Sequence, residues 1–226
     1  GRDTVMFSGQ RSDYQINLTS GNLDIIVWNE DGVNQLANVE MLSFSDIRYD
    51  FTIGQAALQL ETADLNKLIE LYIACFNRIP EASGLRDWVG RYQEGMSFPD
   101  IAEAFYYAGL QFSELTGYSR YMETDDFVSI VYQNVLARGG ASAPDASEIS
   151  YWADQIDNGQ IRKFELVEAV LSAARWFEGD ETWGWIPTLL DNKIEIGKLH
   201  AVTYGIDYTD TGDAITKTAA YAASVA

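Results

Sequence analysis

Residues 77–95 read NRIPEASGLRDWVGRYQEG, and residues 137–159 read ARGGASAPDASEISYWADQIDNG. Each stretch contains an arginine, a proline followed by an acid, a tryptophan, and a glycine seven positions after that tryptophan. The second stretch has four more residues before its proline, GGAS or nearby. The equivalent residues are Arg78 and Arg138, Pro80-Glu81 and Pro144-Asp145, Trp88 and Trp152, and Gly95 and Gly159. Because a repeated helical unit rarely buries its apolar face alone, we expect the two copies to pack together.

The apolar residues around the first stretch recur at the spacing of a helix. A helix is predicted to begin near Thr62 or Asp64, and a second helix carries Pro80 in its first turn and stops at Gly95. A third helix is predicted to be capped by Ser97. The predicted buried face of the first helix consists of Leu65, Leu68, Ile69, Tyr72 and Phe76.

The same order of helices starts again at Thr124. Two later helices are predicted around 182–191 and 192–204, and a truncated helix from about 213, because helix-like sequence continues to the last residue. The predicted divisions are a β segment at 1–52, a first helical repeat at 62–122, a second at 123–178, and C-terminal helices at 179–226.

Residues 1–52 alternate between apolar and polar side chains, which is the period of a β-strand. Turn residues at Ser20–Asn22 and Asn29–Gly32 divide this segment into four or five short antiparallel strands. So few strands need cover on one face to be stable. The predicted fold is therefore mainly α: a helical bundle of two tandem helical repeats with a small N-terminal antiparallel β segment. Because the chain opens directly in strand-like sequence, we expect it to be a piece of a longer polypeptide.

The charge of the chain excludes some classes of partner. Its net charge is −19, with 34 acidic residues against 15 basic ones. Nucleic acids and anionic membrane surfaces both require basic patches, so neither is an expected partner. No apolar run reaches the roughly 18 residues of a membrane-spanning helix, so membrane insertion is not expected either. The single cysteine, Cys75, lies in the apolar run LYIACF and is expected in the core.

The repeated phrase resembles a known bacterial helical domain. LY..CFNRIPEASGLRDW...YQEG and VYQNVLARG...APDASEISYWADQIDNG are similar to the domain of unknown function 4214, with two copies over about 62–178. This sequence departs from the family pattern at Ala137 and the inserted GGAS, at Ser147-Glu148, and at Asp87. The resemblance implies a helical unit and no known activity.

The first fifty residues resemble a β segment of RTX-type, haemolysin-like secreted proteins. The similarity lies in GRDTVMFSGQRSDYQINL and DGVNQLANVEMLSFSD. It implies an exported bacterial protein, extracellular or at the cell surface, of the adhesin or surface-layer (S-layer) kind or an enzyme with an accessory region. The calcium-binding nonapeptides of that class are absent from this sequence, so calcium is implied only by family company and no other cofactor is expected.

The repeated residues have two readings. The arginine and the Pro-acid pair could form a ligand-binding turn, but a pair that caps two adjoining helix ends is the expectation we favour. Trp88 and Trp152 could stack on sugar rings, but their spacing beside apolar neighbours favours the core.

An aromatic cluster near the end of the second repeat is a candidate binding surface. It consists of Trp176, Phe177, Trp183 and Trp185, with Tyr118 and Tyr121. Packing of the terminal helices would use these side chains, whereas an exposed share of them would form a protein or carbohydrate patch.

The residues offer little for catalysis or metal binding. His200 is the only histidine, and no nucleophile motif accompanies it. Asp207, Asp210 and Asp213 are weak candidates for calcium, and the alternative is that they cap the last helix.

We therefore expect a non-catalytic module of a larger exported protein that serves attachment or assembly at the cell surface through protein or polysaccharide. The alternatives are an accessory or spacer domain of a secreted enzyme, or a hydrolase fragment that uses carboxylates in a cleft between the repeats. The latter requires two acids with a raised pKa in a deep pocket.

Overall fold

The computed structural model describes residues 3–18 and 24–225, except for the side chains of Leu18 and Asp24. The predicted turn at Ser20–Asn22 lies outside these residues. The fold is mainly helical with a small antiparallel sheet structure near the N-terminus, as the sequence predicts.

Two small sheets contain the strands. The first sheet has three antiparallel strands in the order β2-β3-β4, and the second has four in the order β1-β5-β6-β7. The strands are β1 Thr4–Met6, β2 Gln15–Leu18, β3 Asp24–Asn29, β4 Gly32–Ala37, β5 Met41–Ser43, β6 Ile47–Asp50 and β7 Ile206–Tyr208. Their inner faces share an apolar core formed by Ile25, Val27, Leu42, Phe44, Ile47, Tyr49 and Phe51.

The second sheet differs from the predicted β segment in two ways. Strand β1 pairs with β5 in parallel, not antiparallel, because the three strands of the other sheet intervene in the chain and return it to the same end. Strand β7 comes from the far end of the chain and pairs antiparallel with β6. The covered edge of β6 means that residues 1–52 do not complete their own sheet.

The helices follow the predicted order. They are α1 Thr52–Ala57, α2 Thr62–Phe76, α3 Ala82–Gln93, α4 Phe98–Gly109, α5 Ser113–Thr116, α6 Thr124–Leu136, α7 Ala146–Asp157, α8 Lys163–Ala174, α9 Trp185–Lys198 and α10 Thr211–Ala223. Short 3₁₀ turns follow α4 at Leu110–Phe112 and α8 at Arg175–Phe177. The predicted starts at Thr62 and Thr124 are confirmed, and Ser97 caps α4 by accepting a hydrogen bond from the Asp100 amide at 3.4 Å. Pro80 lies before α3, not in its first turn.

The two helices predicted at 182–191 and 192–204 are one element. Helix α9 runs through both ranges and continues into a π-helical turn at Leu199–Thr203. The sequence DNKIEIGK contains no proline to end a helix, and Gly197 lets α9 pack closely on α2. A Cβ atom on Gly197 would lie 2.9 Å from Cγ2 of Ile69.

Helix α2 is the centre of the helical core. It contacts α4, α6, α8 and α9, and the five apolar residues predicted for its buried face are all buried. Cys75 is also buried, and burial raises the pKa of its thiol to about 12. The bundle is joined to the sheets through Asp50, which pairs with Arg86 of α3 and whose amide donates to the Gly205 carbonyl at 2.6 Å.

Candidate functional site

The first corner, residues 77–82, joins α2 to α3. Helix α2 ends at Asn77 in the left-handed conformation, with φ of 50°. The guanidinium of Arg78 donates to Glu81 Oε2 and to Thr218 Oγ1, each at 3.2 Å, and lies 5.2 Å from the centre of the Tyr72 ring. Glu81 occupies the N-cap position of α3 but makes no side-chain capping bond there. Its Oε1 accepts instead from the Tyr208 amide at 3.4 Å, so C-terminal residues cover this corner.

The second corner, residues 137–146, joins α6 to α7 and is built differently. Ala137 ends α6 in the left-handed conformation, with φ of 53°. Asp145 caps α7 by accepting from the amides of Ser147 and Glu148 at 2.8 and 2.9 Å. The side-chain hydrogen bond from Ser147, together with these amide bonds, lowers the pKa of the Asp145 carboxyl.

Arg138 pairs with Glu148, not with Asp145 as the repeat pattern suggests. Its guanidinium donates two hydrogen bonds to the Glu148 carboxylate, at 2.6 and 2.8 Å, and a third to the Ser142 carbonyl at 3.1 Å. The hydrogen bonds from Arg138 lower the pKa of Glu148. In this loop, with its four additional residues, capping and ion pairing fall to different acids. Asp145 accepts from the α7 amides, and Glu148, one helical turn further along, pairs with Arg138.

Arg138 is also enclosed by two aromatic rings. It is only 3% exposed, and its guanidinium carbon lies 4.1 Å from the Trp183 ring centre and 5.2 Å from that of Tyr132. A guanidinium held over aromatic faces gains cation–π attraction, which is strongest for tryptophan. The segment after α8 is thereby fixed to the second corner. In neither corner does the arginine side chain cap the preceding helix, so that part of the expectation is wrong.

The remaining repeated residues have structural positions. Trp88 is half-buried with its ring centre 4.4 Å from that of Phe105. Trp152 donates from Nε1 to the Tyr132 hydroxyl at 3.0 Å. Gly95 and Gly159 both follow their helices with positive φ, and Pro80 and Pro144 are both buried. Both tryptophans pack against the main core.

The aromatic cluster is split between core and surface. Tyr118 is 1% exposed and donates its hydroxyl to the Ala74 carbonyl at 3.1 Å, so its assignment to a binding surface is wrong. Tyr121 is 88% exposed, but no ring contact among the described residues joins it to the tryptophans. Trp176 is 85% exposed and Trp185 is 42% exposed, whereas Trp183 is half-buried against Arg138. We call the two exposed residues Trp176 and Trp185 the tryptophan surface; no ring contact among the described residues joins Trp176 to Trp185, and what links them is the short segment 176–185 that carries both.

The tryptophan surface rests on an anchored turn. Arg175, which precedes Trp176, pairs with Glu70 of α2 and with Asp191 of α9, the latter at 2.6 Å. Asp180 accepts from the amides of Thr182 and Trp183 at 2.8 and 2.7 Å and so fixes the turn that leads into α9. Exposed acidic residues lie beside the tryptophans in sequence: Glu178, Asp180, Glu181 and Asp191.

The three aspartates proposed for calcium have separate partners. Asp207 accepts from the Ser83 amide at 2.9 Å, Asp210 caps α10 by accepting from the Asp213 amide at 2.9 Å, and Asp213 pairs with Lys217 at 3.0 Å. Within residues 3–18 and 24–225, no cluster of three or more histidine, cysteine or acidic residues is placed to hold a metal ion. Capping of the last helix, the alternative for this set, applies to Asp210.

Among the described residues, the titratable groups with a lowered pKa include one histidine and three carboxyl groups. His200 donates from Nδ1 to the Pro80 carbonyl at 3.0 Å, and burial lowers its pKa to about 4. The carboxyl groups with shifted pKa, Asp145, Glu148 and Glu165, are all shifted downwards, because hydrogen bonds stabilise the charged form, from Ser147 and backbone amides at Asp145 and from arginines at the two glutamates. An open groove of about 790 Å³ runs along α3 and is lined by Arg86, Asp87, Gly90, Arg91, Glu94, Gly95, Met96 and Asp100.

None of the helices in the described residues has the length and apolar character needed to cross a bilayer.

Comparison with known proteins gives one finding, a family model described as Domain of unknown function (DUF4214), which matches residues 111–176. No curated protein and no solved structure matches the chain. The match runs from the turn after α4 to Trp176 and includes the whole second corner. One DUF4214 segment is therefore present in the chain, and it accounts for less than half of its residues.

Proposed function

We propose that this chain is a non-catalytic attachment module of a larger exported bacterial protein, and that it binds polysaccharide through the tryptophan surface. The observation that carries the proposal is the exposure of two indole rings, 85% for Trp176 and 42% for Trp185, at the two ends of the segment that joins α8 to α9. An indole ring is large and apolar, and its exposure in water is unfavourable unless a partner covers it. Export and a cell-surface location rest on the resemblance of residues 1–52 to RTX-type proteins.

The base under Trp176 supports this use. Arg175 ties the turn to α2 and α9, so Trp176 projects from a backbone that is already held in place. Trp183, between the two exposed rings, is held by its stacking on Arg138. A preorganised surface binds with less loss of conformational entropy than a flexible loop does.

The charges around the tryptophans favour a polysaccharide without anionic groups. Glu178, Glu181 and Asp191 can accept hydrogen bonds from sugar hydroxyls, while they repel carboxylated, sulfated or phosphorylated polymers. The apolar face of a pyranose ring has the shape that stacks on an indole.

We propose further that α2–α4 and α6–α8 are two copies of one helical unit. The second and third helices have twelve residues in each set, and each set is followed by a 3₁₀ turn. The first helix of each ends in a left-handed residue immediately before the arginine, Asn77 in one and Ala137 in the other. In this view the tryptophan surface follows the second copy, where a partner can reach it.

The test is a depletion assay in which the chain is mixed with insoluble neutral polysaccharides and the protein left in solution is measured. Wild-type protein is expected to bind, and Trp176→Ala and Trp185→Ala are each expected to weaken binding by tenfold or more, the loss typical of an aromatic anchor. Tyr121→Ala is the matched control, because it removes an equally exposed aromatic ring elsewhere. Binding that survives both tryptophan substitutions, or its absence for every neutral and acidic polymer, would reject the tryptophan surface and favour a spacer.

A further inference from the structure

Within residues 3–18 and 24–225, strand β4 is an open sheet edge on which no further strand pairs. It is the outer strand of the three-stranded sheet, and five of its six residues are exposed. Its sequence, GVNQLA, contains no charged residue and no proline. Natural edge strands are normally guarded by lysine, proline, bulges or a covering element, because their free backbone groups pair readily with another strand.

The hairpin geometry identifies the backbone groups that are free. Strands β3 and β4 are joined by the two residues Glu30 and Asp31, so the flanking pair Asn29 and Gly32 is the hydrogen-bonded pair that closes the hairpin. Hydrogen-bonded residues alternate along an antiparallel ladder, so positions 32, 34 and 36 bond to β3. The N–H and C=O groups of Val33, Gln35 and Ala37 therefore point away from the sheet.

We infer that β4 pairs antiparallel with β4 of a second copy of this chain, about a two-fold axis at Gln35. In this register Gln35 lies opposite Gln35 of the second copy, and Val33 lies opposite Ala37 in both directions. Each of these pairs exchanges two backbone hydrogen bonds, so every outward group of the three residues finds a partner. The two three-stranded sheets then form one continuous sheet.

The side chains at this seam are compatible with their own copies. On the outer face, Val33 meets a small alanine, and amide meets amide at the axis, where a pair of glutamines can hydrogen-bond in either orientation. Among the neighbouring positions on the same face, Gln15, Asn17, Ile26 and Trp28 are also uncharged, whereas Asp24, the register partner of Ala37, is an acid.

The absence of charge on β4 permits a contact between two copies at this edge. Two copies with a net charge of −19 each repel one another, so a stable contact requires a stretch with no carboxylates of its own. Strand β4 is such a stretch. Because the remaining repulsion acts over a distance and is screened by ions, the dimer is expected to strengthen as salt is added.

The test is sedimentation velocity over a range of protein concentrations and two salt concentrations. We expect a dimer whose fraction rises with protein concentration and with salt. Gln35→Lys and Gln35→Glu each place like charges opposite one another at the axis, so each is expected to sediment as a monomer. An equimolar mixture of the two variants places opposite charges there and is expected to restore the dimer.

Two further variants make the result specific. Gln15→Lys adds the same charge on the same face at the opposite edge strand, β2, and is expected to leave the dimer intact. Gln35→Pro removes an outward N–H without removing a bond to β3, and is expected to abolish the dimer with an unchanged circular dichroism spectrum. A wild-type chain that stays monomeric at all concentrations, a dimer unaffected by Gln35→Lys, or a charge-swapped mixture that stays monomeric would overturn the inference. None of these outcomes depends on polysaccharide binding.

Discussion

Ala137→Gly is expected to stabilise the protein, although it removes a methyl group from the end of a helix. Ala137 has φ of 53°, where the Cβ atom of an L-residue approaches the following carbonyl, at a cost of roughly 1–2 kcal/mol. Glycine avoids this cost but loses more conformational freedom on folding, which offsets about 0.4–1 kcal/mol. The net expectation is a gain of about 0.5–1 kcal/mol in the free energy of unfolding.

Two variants bracket this expectation. Asn77→Gly changes the equivalent residue, with φ of 50°, but asparagine tolerates this conformation better than alanine, so the gain there is expected to be smaller. Ala169→Gly makes the same chemical change in the interior of α8, where glycine should lose about 1 kcal/mol.

The measurement is urea unfolding followed by circular dichroism, with the midpoint and slope fitted separately. At this chain length a gain of about 1 kcal/mol corresponds to a rise of roughly 2–4 °C in Tm. A loss for Ala137→Gly as large as that for Ala169→Gly would mean that the left-handed end of α6 carries no strain.

Three more predictions concern packing and charge. Gly197→Ala is expected to lower the free energy of unfolding by about 1–3 kcal/mol, because the new Cβ would press on Ile69. Gly90→Ala in α3 has no atom within 4 Å of the new Cβ and should raise the free energy of unfolding by about 1 kcal/mol. Thermal melts of both variants check the sign of each change. Glu148→Gln should lower the free energy of unfolding by about 1.5–3 kcal/mol, because it leaves the buried Arg138 without its charged partner. A double-mutant cycle checks the pairing: the same loss for Glu148→Gln in an Arg138→Met background would contradict it. His200 has a pKa of about 4 in the folded chain against 6.5 ordinarily, so its contribution to the free energy of unfolding is complete above pH 6.5 and is lost as pH falls towards 4, by up to about 3 kcal/mol. The free energy of unfolding of His200→Gln should therefore fall less than that of the wild type between pH 6.5 and 4. An identical pH profile for the two proteins would refute the assignment.

The helical part of the fold could be predicted because its signals are local. The apolar spacing of Leu65, Leu68 and Ile69 and the cap at Ser97 each lie within one or two helical turns, so neighbouring residues determine the outcome. The same holds for Asp210, which caps α10 from within its own first turn. Helix α9 is one element where two helices were predicted, at 182–191 and 192–204, because its packing on α2 is a long-range contact that local sequence does not reveal.

The rest of the fold depends on residues that are distant in sequence. Nothing in IDYTD indicates that Ile206–Tyr208 forms a strand on β6, since the two segments are separated by the whole bundle. The partner of Arg138 was also not predictable from the repeat, because the position equivalent to Glu148 in the first copy is Gly84 and the first arginine pairs with Glu81 instead. Ala137 departs from the family pattern in residue type. The end of α6 nevertheless takes the left-handed conformation, which the alanine adopts.

Only part of the candidate site could be predicted from the sequence. An aromatic cluster could be recognised from composition, but burial divides it, with Tyr118 in the core and Trp176 in solvent. A periodic pattern could not make this division, because Trp176 lies in a short turn where helical spacing no longer applies.

The pairing of β6 with β7 has a mechanical consequence. Ile47 pairs with Tyr208, and just beyond this pair the Thr209 amide donates to the Asp46 carbonyl at 3.1 Å. The chain enters β6 and leaves β7 at this same end, so a force that separates Asp46 from Thr209 would load the bond between them first and then open the ladder one bond at a time. Strands that are pulled apart in this way resist less force than strands that must slide past each other. The seam between β6 and β7 would thus open like a zipper from the Thr209 end, while β7 stays tied to the bundle through the bonds from the Tyr208 amide to Glu81 and from the Ser83 amide to Asp207.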